Sequence, residues 1–228
     1  MDVATAFDTY SVTTAPFLEK MMALGFSTAI RYYRNKPGNG ALTTTELLIL
    51  MTVGFDIVPV FEVELINPHI GQFTYDLGKQ NATTAYKYAS GEIKQPRRSA
   101  IYFAVDFNPS KRQIESSIVD YFKGVSEAMS SLPPDGGDGY DIGVYGSGQT
   151  CQTLLDRKLV SYTWLSNSTS FLGTAAFAAS NKWNLMQKTP ETLAGLSVDR
   201  NFIGADGCGA FNIRVITDSK VRGLGPDL

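Results

Sequence analysis

Four carboxylates in this chain stand where apolar runs stop: Asp8, Glu62, Asp106 and Asp199. Asp106 is the sharpest case. The stretch ahead of it, Ile101-Tyr102-Phe103-Ala104-Val105, is almost uniformly apolar, as a strand covered on both faces requires, and the charge arrives where the core ends. Glu62 follows Ile57 to Phe61 in the same way. An Asp after a strand is also a common helix cap or turn former, so each of these taken alone says little. Gathered at one mouth, they would raise one another's pKa, which is how a carboxyl keeps its proton near neutral pH and serves as a general acid. An acid paired with a carboxylate is the minimum equipment for hydrolysing a glycosidic bond. Asp106 and Glu62 are therefore the candidates for the acid and the base or nucleophile, with Asp8 and Asp199 adjusting charge and placing substrate.

Other chemistries are harder to assemble. The one histidine, His69, lies several residues past its strand in an expected exposed loop, which makes a Ser/His/Asp triad or a histidine metal cluster hard to build. A carboxylate-only site favours weakly held Mg or Ca, so neither metal nor cofactor is assigned. The remaining strand ends carry Arg31, Tyr32 and Tyr33 on strand two, Tyr145 on strand five, Trp164 on strand six and Gln187 on strand seven. Arg31 reads as a partner for the acids rather than a phosphate binder. Tyr145 and Trp164 fit either the core or a surface on which sugar rings stack. The expected substrate-binding set is Arg31, Tyr33, Tyr145, Trp164 and Gln187, and the expected ligand is a carbohydrate.

These residues need a scaffold that brings strand ends together. Short apolar, β-branched or aromatic runs alternate with helical patterns along the whole chain. The expected strands are Val3 to Asp8, Thr28 to Tyr33, Ile57 to Glu62, Ala100 to Asp106, Asp141 to Gly146, Tyr162 to Ser166, Trp183 to Gln187 and Leu196 to Asp199. Helices are expected over Ala15 to Leu24, Thr43 to Val53, Asp76 to Gly91, Ser110 to Leu132 and Gly148 to Asp156. Thr43 and Glu46 have capping-box spacing, Ser110 is a plausible N-cap, and Pro133 stops the longest helix. Helical signal is weak after strand six, at Ala175 to Ser180, and ill-defined after strand eight. The stretch at 133–139, rich in Pro, Gly and Asp, is too short for an interdomain linker and reads as a loop within a single domain spanning residues 1–228. Eight strands with intervening helices allow a closed barrel or an open doubly wound sheet. The turn after strand one, Asp8-Thr9-Tyr10-Ser11, lacks the glycines a doubly wound nucleotide binder needs there. The expected fold class is α/β, a single (β/α)8 TIM-like barrel with weak or missing helices after strands six to eight. In such a barrel strands three and four are neighbours, as are one and eight, so the four acids form two adjacent pairs at the C-terminal mouth.

Composition narrows the partners. With 228 residues, 43% hydrophobic and 18% charged, the chain is long enough for one full barrel core. A formal net charge of -2, from 20 basic and 22 acidic residues, provides no footprint for nucleic acid. Apolar runs such as Leu47 to Val53 are far short of the roughly 18 residues a membrane span needs. The N-terminus has no basic stretch followed by an apolar one, so no signal peptide is read in this sequence, and a monomer is expected. Cys151 and Cys208 fit either two free thiols or one disulfide. The sequons Asn81-Ala82-Thr83 and Asn167-Ser168-Thr169 are short enough to arise by chance and carry no weight.

At this level of detail the chain resembles a known group, the glycoside hydrolase-like domain of unknown function 1906 (Rv2525c-like), related to the lysozymes of glycoside hydrolase family 25. The resemblance lies in Phe7-Asp8-Thr9-Tyr10-Ser11, Ile30-Arg31-Tyr32-Tyr33, Val58-Pro59-Val60-Phe61-Glu62, Ile101 to Asp106, Ile142-Gly143-Val144-Tyr145-Gly146, Thr163-Trp164-Leu165, Trp183 to Gln187 and Val198-Asp199. It implies a TIM-like barrel with a carbohydrate-type cleft, hydrolase activity on a polysaccharide or cell-wall glycan, and an extracellular location. In the lysozyme relatives an Asp ends strand one, an Asp-x-Glu motif ends strand four and an Asp lies on the last strand. Asp8 and Asp199 match the outer two. Strand four departs from the pattern: Ala104 stands at the position of the Asp and Asp106 at that of the Glu, one methylene shorter. The departure leaves two readings open, a hydrolase in which Glu62 partners Asp106, and a glycan-binding module on a barrel that has lost the chemistry.

Overall fold

The computed structural model describes residues 5–33, 40–62, 68–133 and 137–213. Parts of two expected features, residues 3–4 of strand one and 134–136 of the Pro/Gly loop, lie outside the described residues. The strands close into a barrel in chain order: β1 (Ala6–Asp8), β2 (Thr28–Tyr33), β3 (Asp56–Phe61), β4 (Ala100–Ala104), β5 (Asp141–Gly146), β6 (Tyr162–Leu165), β7 (Leu185–Leu193) and β8 (Leu196–Ile203). This is a TIM-like barrel in a mixed α/β fold. The helices are α1 (Ala15–Ala23), α2 (Thr44–Val53), α3 (Tyr75–Lys87), α4 (Lys111–Gln113), α5 (Val119–Ser131), α6 (Gly148–Asp156) and α7 (Thr174–Ser180).

Local chemistry sets the helix ends. The Thr43 hydroxyl accepts the Glu46 N–H at 3.1 Å, and Gly54 closes α2 in the left-handed conformation at φ 103°. Ser110 and Gln113 form a full capping box that starts α4. The expected long helix from Ser110 is interrupted by a π turn at Ile114–Ile118 before α5, and α3 likewise runs on into a π turn at Tyr88–Ile93.

The strands from β1 to β7 are parallel to their neighbours, but β8 pairs antiparallel with both β7 and β1. Its direction follows from the connection. Ala194 (φ 51°) and Gly195 (φ 93°) both take positive φ, the geometry of a two-residue hairpin turn whose twist matches the strands it joins, so no helix separates β7 from β8. Asp199, expected at the C-terminal end of a parallel strand, instead lies within β8, and it reaches the same mouth because its strand enters from that side. It sits directly opposite Asp8.

Alternation of side chains divides the core in two. Ala6, Ile30, Val58, Val60, Tyr102, Trp164 and Leu185 fill the barrel lumen, while Phe7, Ala29, Ile57, Phe61, Phe103, Val144 and Leu165 face the helices. Phe7 packs edge-on against Phe17, Phe26 and Phe55 at 5.6–5.9 Å between ring centres. The segment after β8 crosses the far end of the barrel: Ile57 and Phe211 exchange backbone hydrogen bonds, Ala100 N–H donates to the Gly209 carbonyl, and the Tyr102 hydroxyl donates to the Cys208 carbonyl at 3.1 Å. That floor leaves the C-terminal mouth as the open end. Cys151 and Cys208 are free, buried thiols.

Candidate functional site

The same alternation decides which strand-end residues reach the mouth. On β1 the lumen parity gives Asp8, on β2 Tyr32, beyond β3 Glu62, beyond β4 Asp106, on β5 Tyr145, on β6 Trp164, on β7 Gln187 and on β8 Asp199 and Asn201. A cavity of about 240 Å³ opens there, lined by Asp8, Tyr32, Glu62, Asp106, Tyr145, Trp164, Gln187 and Asp199 with Asn167 and Ser168 from the loop after β6. All four expected acids therefore line one cleft. Among the described residues, no three His, Cys, Asp or Glu side chains are grouped so as to hold a metal ion.

Asp8 is the most constrained of the acids. It is buried and accepts from Asn201 Nδ2 at 2.7 Å and from Gln187 Nε2 at 3.2 and 3.3 Å, with the Tyr32 hydroxyl at 3.5 Å. Burial and the neighbouring Asp199 charge outweigh those donors and push its carboxyl from 3.8 up to about 7. Asp199, half-buried, takes a hydrogen bond from Gln187 Nε2 at 3.1 Å, and burial raises it too. Asp106 opens to the cleft, yet burial by the surrounding protein raises its carboxyl, and the influence of the Tyr145 hydroxyl pulls it partly back. Glu62 is half-buried, and its charge reaches Tyr32 and Tyr145, helping to hold both phenols in their neutral form.

Beside Asp8 the orientation of the Asn201 amide is imposed. An indole N–H only donates, so the bond from Trp164 Nε1 at 2.7 Å fixes the Asn201 oxygen and turns Nδ2 toward Asp8. Trp164 is only 2% exposed, packed edge-on against Tyr145 with ring centres 4.6 Å apart. Its full face is not offered to a sugar ring; it acts on the site through Asn201. Tyr145 is likewise mostly buried, and its hydroxyl is hydrogen-bonded to Gln187 Oε1 at 2.9 Å.

Two expected binding residues are not in the cleft. Arg31 and Tyr33 have the opposite parity to Ile30 and Tyr32, point into the helix layer and have no exposed surface. Arg31 forms a buried ion pair with Glu46, Nε to Oε1 at 3.1 Å, and donates to the carbonyls of Thr9 and Gly40. Glu46 Oε1 also accepts from the Thr13 N–H and hydroxyl, each at 2.8 Å. The Glu46 carboxylate is thus taken from its capping box to tie down the loop that follows Asp8. The Tyr33 hydroxyl donates to Gln95 at 2.9 Å. Tyr32 takes the place in the cleft assigned to Tyr33, and Tyr10, 40% exposed, packs beside it with ring centres 5.6 Å apart. Tyr32 was legible from the period-2 pattern running through Ile30, and Asn201 from the same pattern running through Asp199; Tyr10 has no such signal. His69 is exposed, and Asn81 of the first sequon is buried with its amide on the Tyr121 hydroxyl.

Residues 19–202 match the family model described as the Rv2525c-like, glycoside hydrolase-like domain. The chain belongs to that family. This Rv2525c-like domain is 26% identical to two uncharacterized proteins of Bacillus subtilis (strain 168). The match to FadG runs over 182 residues, 78% of this chain and 31% of that protein. The match to YbfG covers 97% of this chain and 32% of that protein. The domain thus spans about a third of the length of each of these relatives. Among solved structures, the Tat-secreted protein Rv2525c of Mycobacterium tuberculosis superimposes with a TM-score of 0.70 at 23% identity, covering 90% of this chain and 97% of that one. A bacterial lysozyme from Streptomyces coelicolor superimposes at 0.53 and 12% identity, covering 89% and 93%. A muramidase from Acremonium alcalophilum gives 0.53 and 13%, covering 88% and 93%. At these identities the structural likeness speaks to the fold. No helix among the described residues is long and apolar enough to cross a membrane.

Proposed function

We propose that this Rv2525c-like domain is a glycoside hydrolase that cleaves a polysaccharide or cell-wall glycan with its strand-end carboxyls. The observation that carries the reading is the convergence of Asp8, Glu62, Asp106 and Asp199 on one cavity walled by tyrosines. Hydrolysis needs a proton for the leaving oxygen and a second carboxylate at the anomeric carbon. Asp106 fits the first role, since it is open to the cleft and its surroundings favour the protonated form. Glu62, beyond the adjacent strand, fits the second as base or nucleophile. Asp8 and Asp199, across the mouth, take substrate hydroxyls and set the charge, while Tyr32 and Tyr10 offer a face to a sugar ring. Rv2525c is described as Tat-secreted, and by that likeness we place this domain outside the cytoplasm. The lysozyme and muramidase likenesses make peptidoglycan the first substrate to try.

The test is turnover on peptidoglycan and a panel of glycans, with the product anomer read by NMR. Loss of activity in both Asp106→Asn and Glu62→Gln supports the assignment; hydrolysis unchanged in either variant overturns it. A second reading, glycan binding without hydrolysis, is favoured by Ala104, which stands where the lysozyme pattern has an acid. It expects saturable binding weakened by Tyr32→Ala and no product on prolonged incubation, and enzyme-dependent cleavage would exclude it.

A further inference from the structure

A second, smaller cavity opens beside the cleft. It measures about 20 Å³, shares Glu62, Ala104 and Asp106 with the cleft, and reaches Asn81 of α3 and Tyr121 of α5. Asn81 is 4% exposed, and its Nδ2 meets the Tyr121 hydroxyl at 3.0 Å. Gly78, one turn earlier, lets them meet: a side chain there would strike the Tyr121 carbonyl, so its absence brings α3 up against α5. Among the described residues the Asn81 side chain makes no other hydrogen bond. An amide and a phenol joined by one bond leave at least one donor and one acceptor unused, whichever way the amide is turned. Both side chains are buried on the cavity wall, where such groups require a partner.

We propose that this side pocket holds one ordered water, and that Asn81 and Tyr121 are positioning residues that keep it beside Glu62 and Asp106 as the attacking oxygen of the hydrolysis. Size decides the occupant. A water needs roughly 10–15 Å³ and two to four polar partners, so this pocket takes a single water and excludes a sugar ring or an acetyl group. Gln72 is the remaining polar side chain on the wall, and Phe61 and Phe73 close the rest with rings that offer no strong donor. Ala104 keeps the passage to the cleft open. It has the lumen parity of Tyr102 and lines both cavities, so a longer side chain at 104 would enter the space where they join. With a water held there, Glu62 is a base and not a nucleophile. It takes a proton from the water as the water oxygen bonds to the anomeric carbon; the bond to the leaving oxygen breaks with its electron pair, and the Asp106 proton goes to that oxygen. A single displacement of this kind inverts the anomeric centre.

The inference rests on the hydrolase reading for the role of the water and not for its presence, so the two are tested apart. A high-resolution crystal structure of the protein is expected to show a water within about 2.7–3.2 Å of both Asn81 and Tyr121. Tyr121→Phe and Asn81→Leu each remove one side of the cradle and should lose it. On a glycan that the protein hydrolyses, both variants are expected to lower kcat about tenfold or more with KM held within about twofold, since substrate binds in the cleft and not in the side pocket. A merely structural role would lower the melting temperature and leave kcat of the folded protein as it was. If Asn81→Leu fails to fold, Tyr121→Phe, which keeps the ring, decides. A cation in the pocket, no ordered water there, a retained product anomer, or an unchanged kcat in Tyr121→Phe would each overturn the proposal. A water in place in a protein that hydrolyses no glycan would leave the water site standing and remove the hydrolase reading; hydrolysis by a protein whose pocket holds no water would do the reverse.

Discussion

Replacing Asp8 by Asn should make the protein more stable at pH 8 and should do little at pH 4. Asp8 is 4% exposed and its carboxyl is held at about 7, against 3.8 for the ordinary group. Below pH 4 both folded and unfolded chains carry the proton, and the residue contributes nothing to pH dependence. Between pH 4 and 7 the unfolded chain releases it while the folded chain retains it, so stability falls as pH rises. Above 7 the folded state ionises as well and the loss is complete. A displacement of that size corresponds to about 4 kcal/mol. The Asn variant has no proton to lose, and an introduced carboxamide still accepts from Asn201 and has an N–H to present to the Gln187 oxygen once that amide turns. The measurement is urea denaturation of both proteins at pH 4, 5.5 and 8. All other titrating groups are common to both, so the difference between the proteins reports residue 8 together with its coupling to Asp199. It should grow by up to about 4 kcal/mol from pH 4 to pH 8, in favour of the variant. A difference that changes by less than about 1 kcal/mol over that range would refute the placement of Asp8 in a dry, like-charged environment. The same variant should be the one that damages function, since stability gained by relieving a strained site is commonly set against activity.

Three further outcomes follow from the packing around the site. Glu46→Gln leaves the Arg31 guanidinium buried without a counter-charge and removes an anchor from the loop after Asp8; a loss of about 3–5 kcal/mol in urea denaturation is expected, and under 1 kcal/mol would mean the pair is not buried as described. Trp164→Phe strips Asn201 of its donor, which should cost about 1–3 kcal/mol and, by letting the amide turn, raise the Asp8 midpoint in an NMR titration; an unchanged midpoint argues against the imposed orientation. Gly124→Ala would drive a methyl group into the backbone of Tyr75, where α3 and α5 meet without side chains between them. A cost of about 1–3 kcal/mol is expected, and an unaltered melting temperature would count against that approach.

The barrel was legible because its signals are local. Apolar runs ending in a charge marked β3 and β4, and Thr43, Gly54 and Ser110 marked helix ends by hydrogen-bonding chemistry that depends on only a few neighbouring residues. The eighth strand's direction was not legible. Its turn uses Ala194 at positive φ, a position where Asn or Gly gives the usual hairpin signal, and the arm Lys188 to Leu193 stands clear of the barrel, partly exposed, so burial imposes no apolar pattern on it. The π turns in the long helices leave no trace either, since the residues at Ile114–Ile118 are ordinary helix residues.

Within the site, the acids were easier to find than their partners. A charge after an apolar run is visible in one strand alone, whereas choosing between Tyr32 and Tyr33 requires carrying the parity of Ile30 through to the strand end, and dismissing Arg31 requires knowing that Glu46 waits on α2 behind it. Asn201 depended on the direction of β8. A parallel strand delivers its last lumen-facing residue to the mouth and buries the one before it in the core. An antiparallel strand enters at the mouth, so consecutive lumen positions descend from it, and β8 sets Asp199 opposite Asp8 with Asn201 one step below, within 2.7 Å of the same carboxyl. One reversed strand therefore supplies both the like charge that adds to burial in raising Asp8 and the donor that holds it in place. The hairpin turn at Ala194 and Gly195, which contains no reactive group, is what makes that pairing possible.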